Sequence, residues 1–247
     1  MSGRGAVRHR RWPALLAAVV ALAWMPSAIW PARATTASAA ATAVAGGVVD
    51  VTSQLTSPGT TAAGTGMVVT AQGEVLTNSH VVRGATEIQV TVPGGASYPA
   101  QIIGNDAVHD VALLQVVGAP ALTPATFGDS STVAVGDPVS AVGNAGGVGG
   151  MPVVTAGKVT GLDESVTVVD DQGRNPEHLH GLIETDAKVV PGDSGGPLVD
   201  AAGQVVGMDT ASTVDRSDRD SAPDAYAIPI NDALRIVRGI EARPPPG

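Results

Sequence analysis

Short runs of β-branched and aliphatic residues recur along most of the chain, each interrupted within a few positions by Gly, Pro, Asn or Asp. The first series comprises Val48 to Thr52, Gly66 to Thr70, Val75 to Thr77, Glu87 to Val92, Gln101 to Gly104 and Val111 to Val116. Turn-forming clusters separate the runs, among them Ser57-Pro58-Gly59, Gln72-Gly73, Pro93-Gly94-Gly95 and Gly118-Ala119-Pro120. A second series follows Gly128-Asp129: Pro138 to Val142, Val153 to Val159, Val166 to Val169, Gly181 to Glu184, Pro197 to Val199, Val205 to Asp209 and Tyr226 to Pro229. Runs of this length, bounded by turn residues, predict strands. The protein is therefore expected to be all-β, with two similar β-barrels in tandem. Helical spacing occurs convincingly once, where Leu234, Ile236, Val237 and Ile240 share one face and Asn231 stands as the N-cap. No motif recurs with a period of roughly 20 to 50 residues, which argues against solenoids and propellers.

Residues 1–34 follow a different pattern. Arg4, Arg8, Arg10, Arg11 and Arg33 occur there without any acidic side chain, around an apolar run from Ala14 to Met25. The run ends at Pro26 and is shorter than the roughly 20 residues of a membrane span. With Ala32-Arg33-Ala34 behind it, the segment reads as a signal peptide. The expected organisation is a leader (1–34), a flexible Ala/Thr/Ser-rich spacer (35–47), a first barrel (48–125), a second barrel with the terminal helix (126–242) and a short tail (243–247). A secreted or envelope location follows, with no membrane insertion once the leader is cleaved.

Charge and composition narrow the function. Of the 14 basic residues five lie in the leader, leaving 9 against 23 acidic ones, a net of about −14 after cleavage. Such a field repels phosphate backbones and anionic membranes, so nucleic acid is not an expected partner. No Cys is present, which removes disulfides, thiol chemistry and Cys metal sites. The three Trp all lie in the leader, leaving Phe127, Tyr98 and Tyr226 as the remaining aromatics. The core must then be aliphatic.

The chemistry-bearing candidate is Pro191-Gly192-Asp193-Ser194-Gly195-Gly196-Pro197. A nucleophilic Ser needs room for an incoming carbonyl and backbone N–H groups aimed at the oxyanion, and glycines permit both. The amides of the segment Gly192, Asp193 and Ser194 are the candidate donors, Gly192 and Ser194 foremost. The same residue types also build ordinary surface turns, and Gly128-Asp129-Ser130 is read as one. A Ser requires a base held by a carboxylate. His80 stands after the strand-like Val75 to Asn78, and Asp110 opens the apolar run Val111-Ala112-Leu113-Leu114, with Asp106 a weaker alternative. His109, His178 and His180 sit in polar surroundings. His178 and His180 lack a further ligand cluster, so no metal is expected. The chain order His80, Asp110, Ser194 is that of chymotrypsin-like proteases and sets the site between the barrels.

Six segments together resemble the HtrA/Deg branch of the trypsin-like serine proteases, in its short secreted actinobacterial form without a PDZ domain. They are Gly64 to Val69, Leu76 to Val82, Asp110 to Leu114, Val135 to Val139 followed by Ala141 to Asn144, Gly192 to Leu198, and Val205 to Met208, in the family's order. The resemblance implies two six-stranded antiparallel barrels, a triad of His80, Asp110 and Ser194 in the cleft, and endoproteolysis of flexible protein or peptide segments without a cofactor or metal. It is silent on oligomeric state. A competing reading is a non-catalytic or latent binding protein of the cell envelope that retains the fold.

Two positions depart from the family pattern. Asp193 stands where such enzymes usually carry Asn. Digestive-type relatives carry Asp there and pair it with a new N-terminal ammonium, and Val44-Ala45-Gly46-Gly47 faintly resembles that terminus. Lys188 lies six residues before Ser194, where relatives place the base of the primary specificity pocket, and Asp209 falls on the neighbouring wall. An unpaired buried ammonium is costly, so Lys188 and Asp209 are expected to form an ion pair there. The alternative is that Lys188 reaches solvent.

Overall fold

The computed structural model describes residues 44–57, 59–144, 150–168, 177–212 and 225–243. The expected leader, most of the expected spacer and the tail beyond Arg243 lie outside the described residues. The first six strands are β1 (Val48–Leu55), β2 (Thr61–Val68), β3 (Glu74–Thr77), β4 (Ala85–Thr91), β5 (Ser97–Asp106) and β6 (Val111–Val116), with a one-turn helix α1 (Ser79–Val82) after β3. The next six are β7 (Pro138–Gly143), β8 (Val153–Val168), β9 (Glu177–Thr185), β10 (Pro197–Asp200), β11 (Val205–Ser212) and β12 (Ala225–Pro229), followed by helix α2 (Ile230–Glu241).

Each set closes on itself. The first runs β1-β2-β3-β6-β5-β4 and the second β7-β8-β9-β12-β11-β10, the same strand order, so the expected pair of six-stranded barrels is present. Every pairing within them is antiparallel.

Alternation along the strands explains why their apolar runs are continuous. Successive side chains of a strand point to opposite faces. On β6, Ala112 and Leu114 fill the interior of the first barrel, while Val111 and Leu113 face a second cluster shared by both barrels. Val75 and Leu76 divide in the same way on β3, and Leu198 and Val199 on β10. The shared cluster includes Val48, Met67, Val142, Met208 and the buried face of α2, formed by Ile230, Ala233, Ile236, Val237 and Ile240. Strands buried on both faces leave no polar alternation to read. The core is aliphatic, as the composition requires, and Phe127 and Tyr226 only flank it.

Two local expectations are revised. The runs Val153 to Val159 and Val166 to Val169 are not separate strands, because through Val168 they belong to β8. Its ladder with β9 shifts register three times between Val159 and Val166, and Asp163 takes a left-handed φ of 59°, which accommodates the polar residues between the two runs. Asn231 is not the cap of α2. That position falls to Pro229, which offers no side-chain acceptor, and Asn231 instead donates through Nδ2 to Asp129 Oδ1 at 2.7 Å. Asp129 also accepts from the Ser131 amide, so Gly128-Asp129-Ser130 forms a structural turn that anchors the helix start.

Helix α2 packs on β5 and β6 of the first barrel and on β11 and β12 of the second. Ile240 is 5% exposed in the shared cluster. Ile240→Ala is expected to lower the unfolding free energy by about 2–5 kcal/mol, measured by urea denaturation. A loss within error of zero would show that α2 does not join the barrels.

Candidate active site

His80 sits on α1, immediately after β3 and Asn78. Its backbone amide donates to Asp110 Oδ1 at 2.9 Å and its Nδ1 lies 2.8 Å from Asp110 Oδ2. Thr210 Oγ1 donates to the same Oδ2 at 2.5 Å. Asp110 is wholly buried, while the His80 side chain is 35% exposed. The Asp110 backbone adopts φ 55°, the left-handed region that Asp tolerates better than most residues. Asn78 Nδ2 secures that conformation by donating to the Asp110 carbonyl at 3.0 Å. A carboxylate with three donors is fixed in place, and as an acceptor it assigns the proton of His80 to Nδ1. Nε2 is then the basic nitrogen.

The turn carrying Ser194 is closed by reciprocal bonds. The Asp193 amide donates to the Val190 carbonyl at 2.9 Å, and the Val190 amide donates to Asp193 Oδ2 at 2.9 Å. Pro191 and Gly192 occupy the two corners. Gly192 has φ 102°, the positive value required of the third residue when Pro is second, as in a type II turn. Among the described residues, neither the Gly192 nor the Ser194 amide donates to a backbone acceptor. Both are available for an incoming oxygen. The Asp193 amide is not, which corrects its inclusion among the candidate oxyanion donors: it closes the turn that presents the other two.

The first barrel holds this turn from beneath. The Thr65 amide on β2 donates to the Ser194 carbonyl at 2.8 Å, and Thr65 Oγ1 donates to the Gly192 carbonyl at 2.7 Å. The same hydroxyl accepts from the Asn144 amide at 3.0 Å, and the Thr65 carbonyl accepts from Thr77 Oγ1 at 2.7 Å. From the second barrel, the Gly195 amide donates to the Asp209 carbonyl and the Asp209 amide to the Gly196 carbonyl, both at 2.8 Å. Ser194 Oγ lies 3.4 Å from the Thr210 carbonyl, a long contact. The structure thus joins His80 to Asp110 and ties Ser194 to Thr210, whose hydroxyl rests on Asp110. Sequence reasoning missed the roles of Thr65 and Thr210. The available signal was a lone Thr between Gly64 and Gly66 in a strand otherwise free to be apolar.

Asp193 lies against β7, where a Cβ on Gly143 would fall 2.5 Å from its Oδ1, so only glycine admits the carboxylate. Asp193 is 5% exposed, and burial raises its pKa despite the Val190 amide. The expected pairing of Lys188 with Asp209 does not form. Lys188 is exposed, whereas Asp209 is wholly buried with no partner on either oxygen. Burial, and next the charge of Asp193, push the Asp209 carboxyl well above the usual carboxylate range. Keeping a flexible ammonium dry is costlier here than keeping a proton on an acid.

The remaining candidates are elsewhere. Asp106 accepts from the amides of Val108 and His109 and from His109 Nδ1 at 2.9 Å. His109, His178 and His180 line a separate cleft of about 250 Å³ beside α2. The latter two are held through Nδ1 by Thr167 and Ser165. Among the described residues, no group of three acidic or His side chains is placed to hold a metal ion.

Comparison with known proteins identifies the family. Residues 64–208 match the family model of the trypsin-like peptidase domain. The chain is 38% identical over 163 residues to the serine protease Do-like HtrB of Bacillus subtilis, covering 66% of this chain and 34% of that protein. It is 40% identical over 151 residues to the probable periplasmic serine endoprotease DegP-like of Buchnera aphidicola, covering 61% and 30%. The chain spans about a third of the length of these curated relatives. Among solved structures, the HtrA-type protease AlgW with tripeptide superposes with a TM-score of 0.69 at 32% identity, over 86% of this chain and 64% of that one.

Thr65→Val keeps the shape of the side chain but leaves the Gly192 carbonyl and the Asn144 amide without their partner. Stability is expected to fall by about 1–3 kcal/mol, with Thr65→Ser close to wild type. Urea melts of the three proteins check this, and equal stability of the Val variant would discount the bridge.

Proposed function

The chain belongs to the trypsin-like peptidase domain family and is of the HtrA type, and from that premise we propose that it is a serine endopeptidase acting on protein or peptide segments through His80, Asp110 and Ser194. The observation that carries the proposal is the pinning of His80 Nδ1 on a buried, fully hydrogen-bonded Asp110. That contact leaves Nε2 as the basic nitrogen and stabilises the imidazolium once it forms.

The reaction then follows in two halves. His80 Nε2 takes the Ser194 proton as Oγ attacks the substrate carbonyl, and the Gly192 and Ser194 amides receive the negative charge that develops on its oxygen. The tetrahedral intermediate collapses to an acyl-enzyme as His80 protonates the leaving amine. Water, deprotonated by His80, completes hydrolysis by the reverse logic. Side chains and backbone amides supply every step, so the scheme calls for no cofactor.

We assign the protein to the outside of the cell membrane, secreted or held at the envelope. The Arg-rich leader with its short apolar run supports this, as does the periplasmic name of the Buchnera relative. Among the described residues no helix is long and apolar enough to cross a membrane. The strongly acidic mature composition favours protein over nucleic-acid partners.

A fluorophosphonate probe is expected to label the wild type and not Ser194→Ala. Asp110→Asn, which offers the wrong group to Nδ1, is expected to reduce kcat on a casein or peptide substrate by about 10⁴-fold with the fold intact. Failure of the folded wild type to label under any condition would favour the binding-protein alternative.

A further inference from the structure

Two carboxylates are 0% exposed among the described residues, and their surroundings are opposite. Asp110 receives the His80 amide, the His80 ring and the Thr210 hydroxyl. Asp209 receives no donor on either oxygen. A carboxylate without donors or a cation cannot be kept ionised in a dry interior, whereas a protonated one can. Yet Asp209 is at the centre of the site. Its amide and carbonyl hold Gly196 and Gly195, and its neighbour Thr210 touches both Asp110 and Ser194 Oγ.

Asp193 is the other buried acid beside it. The two differ in one respect: Asp193 has the Val190 amide on Oδ2, and Asp209 has nothing comparable. Two acids in one low-dielectric region do not both ionise, so the charge belongs on Asp193 and the proton on Asp209. We propose that Asp209 is a positioning residue, a protonated carboxyl behind the nucleophile turn whose neutrality leaves Asp193 the sole charge gripping the Val190 amide and so keeps the Gly192 and Ser194 amides presented.

The groups around Asp209 reinforce the assignment. Across β12 its register partner is Ala227, and on the β10 side its amide meets the Gly196 carbonyl. The turn contributes Asp193, and beyond Thr210 lie Asp110 and His80. Asp50 of β1, paired in register with Thr65, is a further acid made harder to ionise by burial. Lys188 is exposed. No ion pair to Asp209 exists among the described residues.

The folded state therefore holds a proton that the unfolded chain releases near the ordinary carboxylate value. Stability from this group is full below that value, declines as pH rises toward the elevated folded value, and levels off above it. Deprotonation in the folded state places a second charge behind the turn, which opposes the first.

The test uses the full chain as wild type and as Asp209→Asn, a neutral mimic of similar shape. Three results are expected: a protonated-carboxyl infrared band at neutral pH that Asp209→Asn removes, a flatter dependence of unfolding on pH in the variant, and kcat within about threefold of wild type at neutral pH. The variant-to-wild-type kcat ratio should then rise by about tenfold or more as pH increases through the Asp209 transition. Absence of the band from the wild type, or identical pH profiles, would overturn the proposal. So would loss of kcat in a folded Asp209→Asn at every pH. The kinetic arm rests on the peptidase reading, whereas the infrared and stability arms do not. A chain that shows the band yet never reacts with fluorophosphonate would sink that reading and leave the protonated Asp209 standing.

Discussion

The Thr65 hydroxyl belongs to the first barrel, yet it donates to the Gly192 carbonyl and accepts from the Asn144 amide, both of which belong to the second. With the Thr65 amide on the Ser194 carbonyl, this single residue fixes the nucleophile turn against the strand next to the one that leads to His80. Apolar packing in the shared cluster brings the barrels together but sets no register, because it is non-directional. The directional bonds of Thr65 set it. They are buried, so breaking one leaves a polar group dry and costs more than the bond contributes when made. Thr77 on β3 extends the chain of bonds to the Thr65 carbonyl, and Asn78 beside it holds Asp110. Base, orienting acid and nucleophile are thus referred to one short stretch of β2 and β3.

A second division of labour concerns charge. The region under the cleft contains Asp110, Asp193, Asp209 and Asp50, and the one Lys near it in sequence, Lys188, is exposed. Each acid survives burial differently: Asp110 by donors, Asp193 by one amide, Asp209 by retaining its proton. The distribution follows the function of each. The acid that must stabilise an imidazolium is the one given most hydrogen bonds, and the one with no donor and another acid beside it is the one that must remain neutral.

The fold was legible because strands follow from short-range rules, and the pairing of His80 with Asp110 because both residues stand at strand ends. Short β-branched and aliphatic runs between turn residues marked the strands, and their recurrence in two sets matched the two barrels. Asp110 was legible because it opens an apolar strand, where the structure finds it fully buried with His80 on its carboxylate. What sequence did not reveal depended on partners far along the chain. Asn231 resembled a cap until Asp129, about a hundred positions earlier, proved to be its acceptor. Lys188 and Asp209 resembled an ion pair because opposite charges were expected to meet in one pocket. Burial and solvation decide such pairings, and neither is written in spacing. The polar interruption within β8 hid a single strand because register shifts accommodate residues that a regular ladder would not.

The same bonds bear on whether the turn rests in a competent form. A nucleophile turn without internal support would need an external cation to hold its acid, the arrangement expected if Val44-Ala45-Gly46-Gly47 supplied a new N-terminus. Here Asp193 already receives the Val190 amide, and its own amide closes the turn on the Val190 carbonyl. Val44 is instead buried in the shared apolar cluster with Val48 and Ala125, and a 3-10 turn from Ala45 to Gly47 runs directly into β1. Its Oδ1 is buried without a partner, so an ammonium brought there would leave that amide in place. It would, however, have to enter against Gly143, where even a Cβ does not fit. The turn is held from within, by one amide, one charge and the hydroxyl of Thr65.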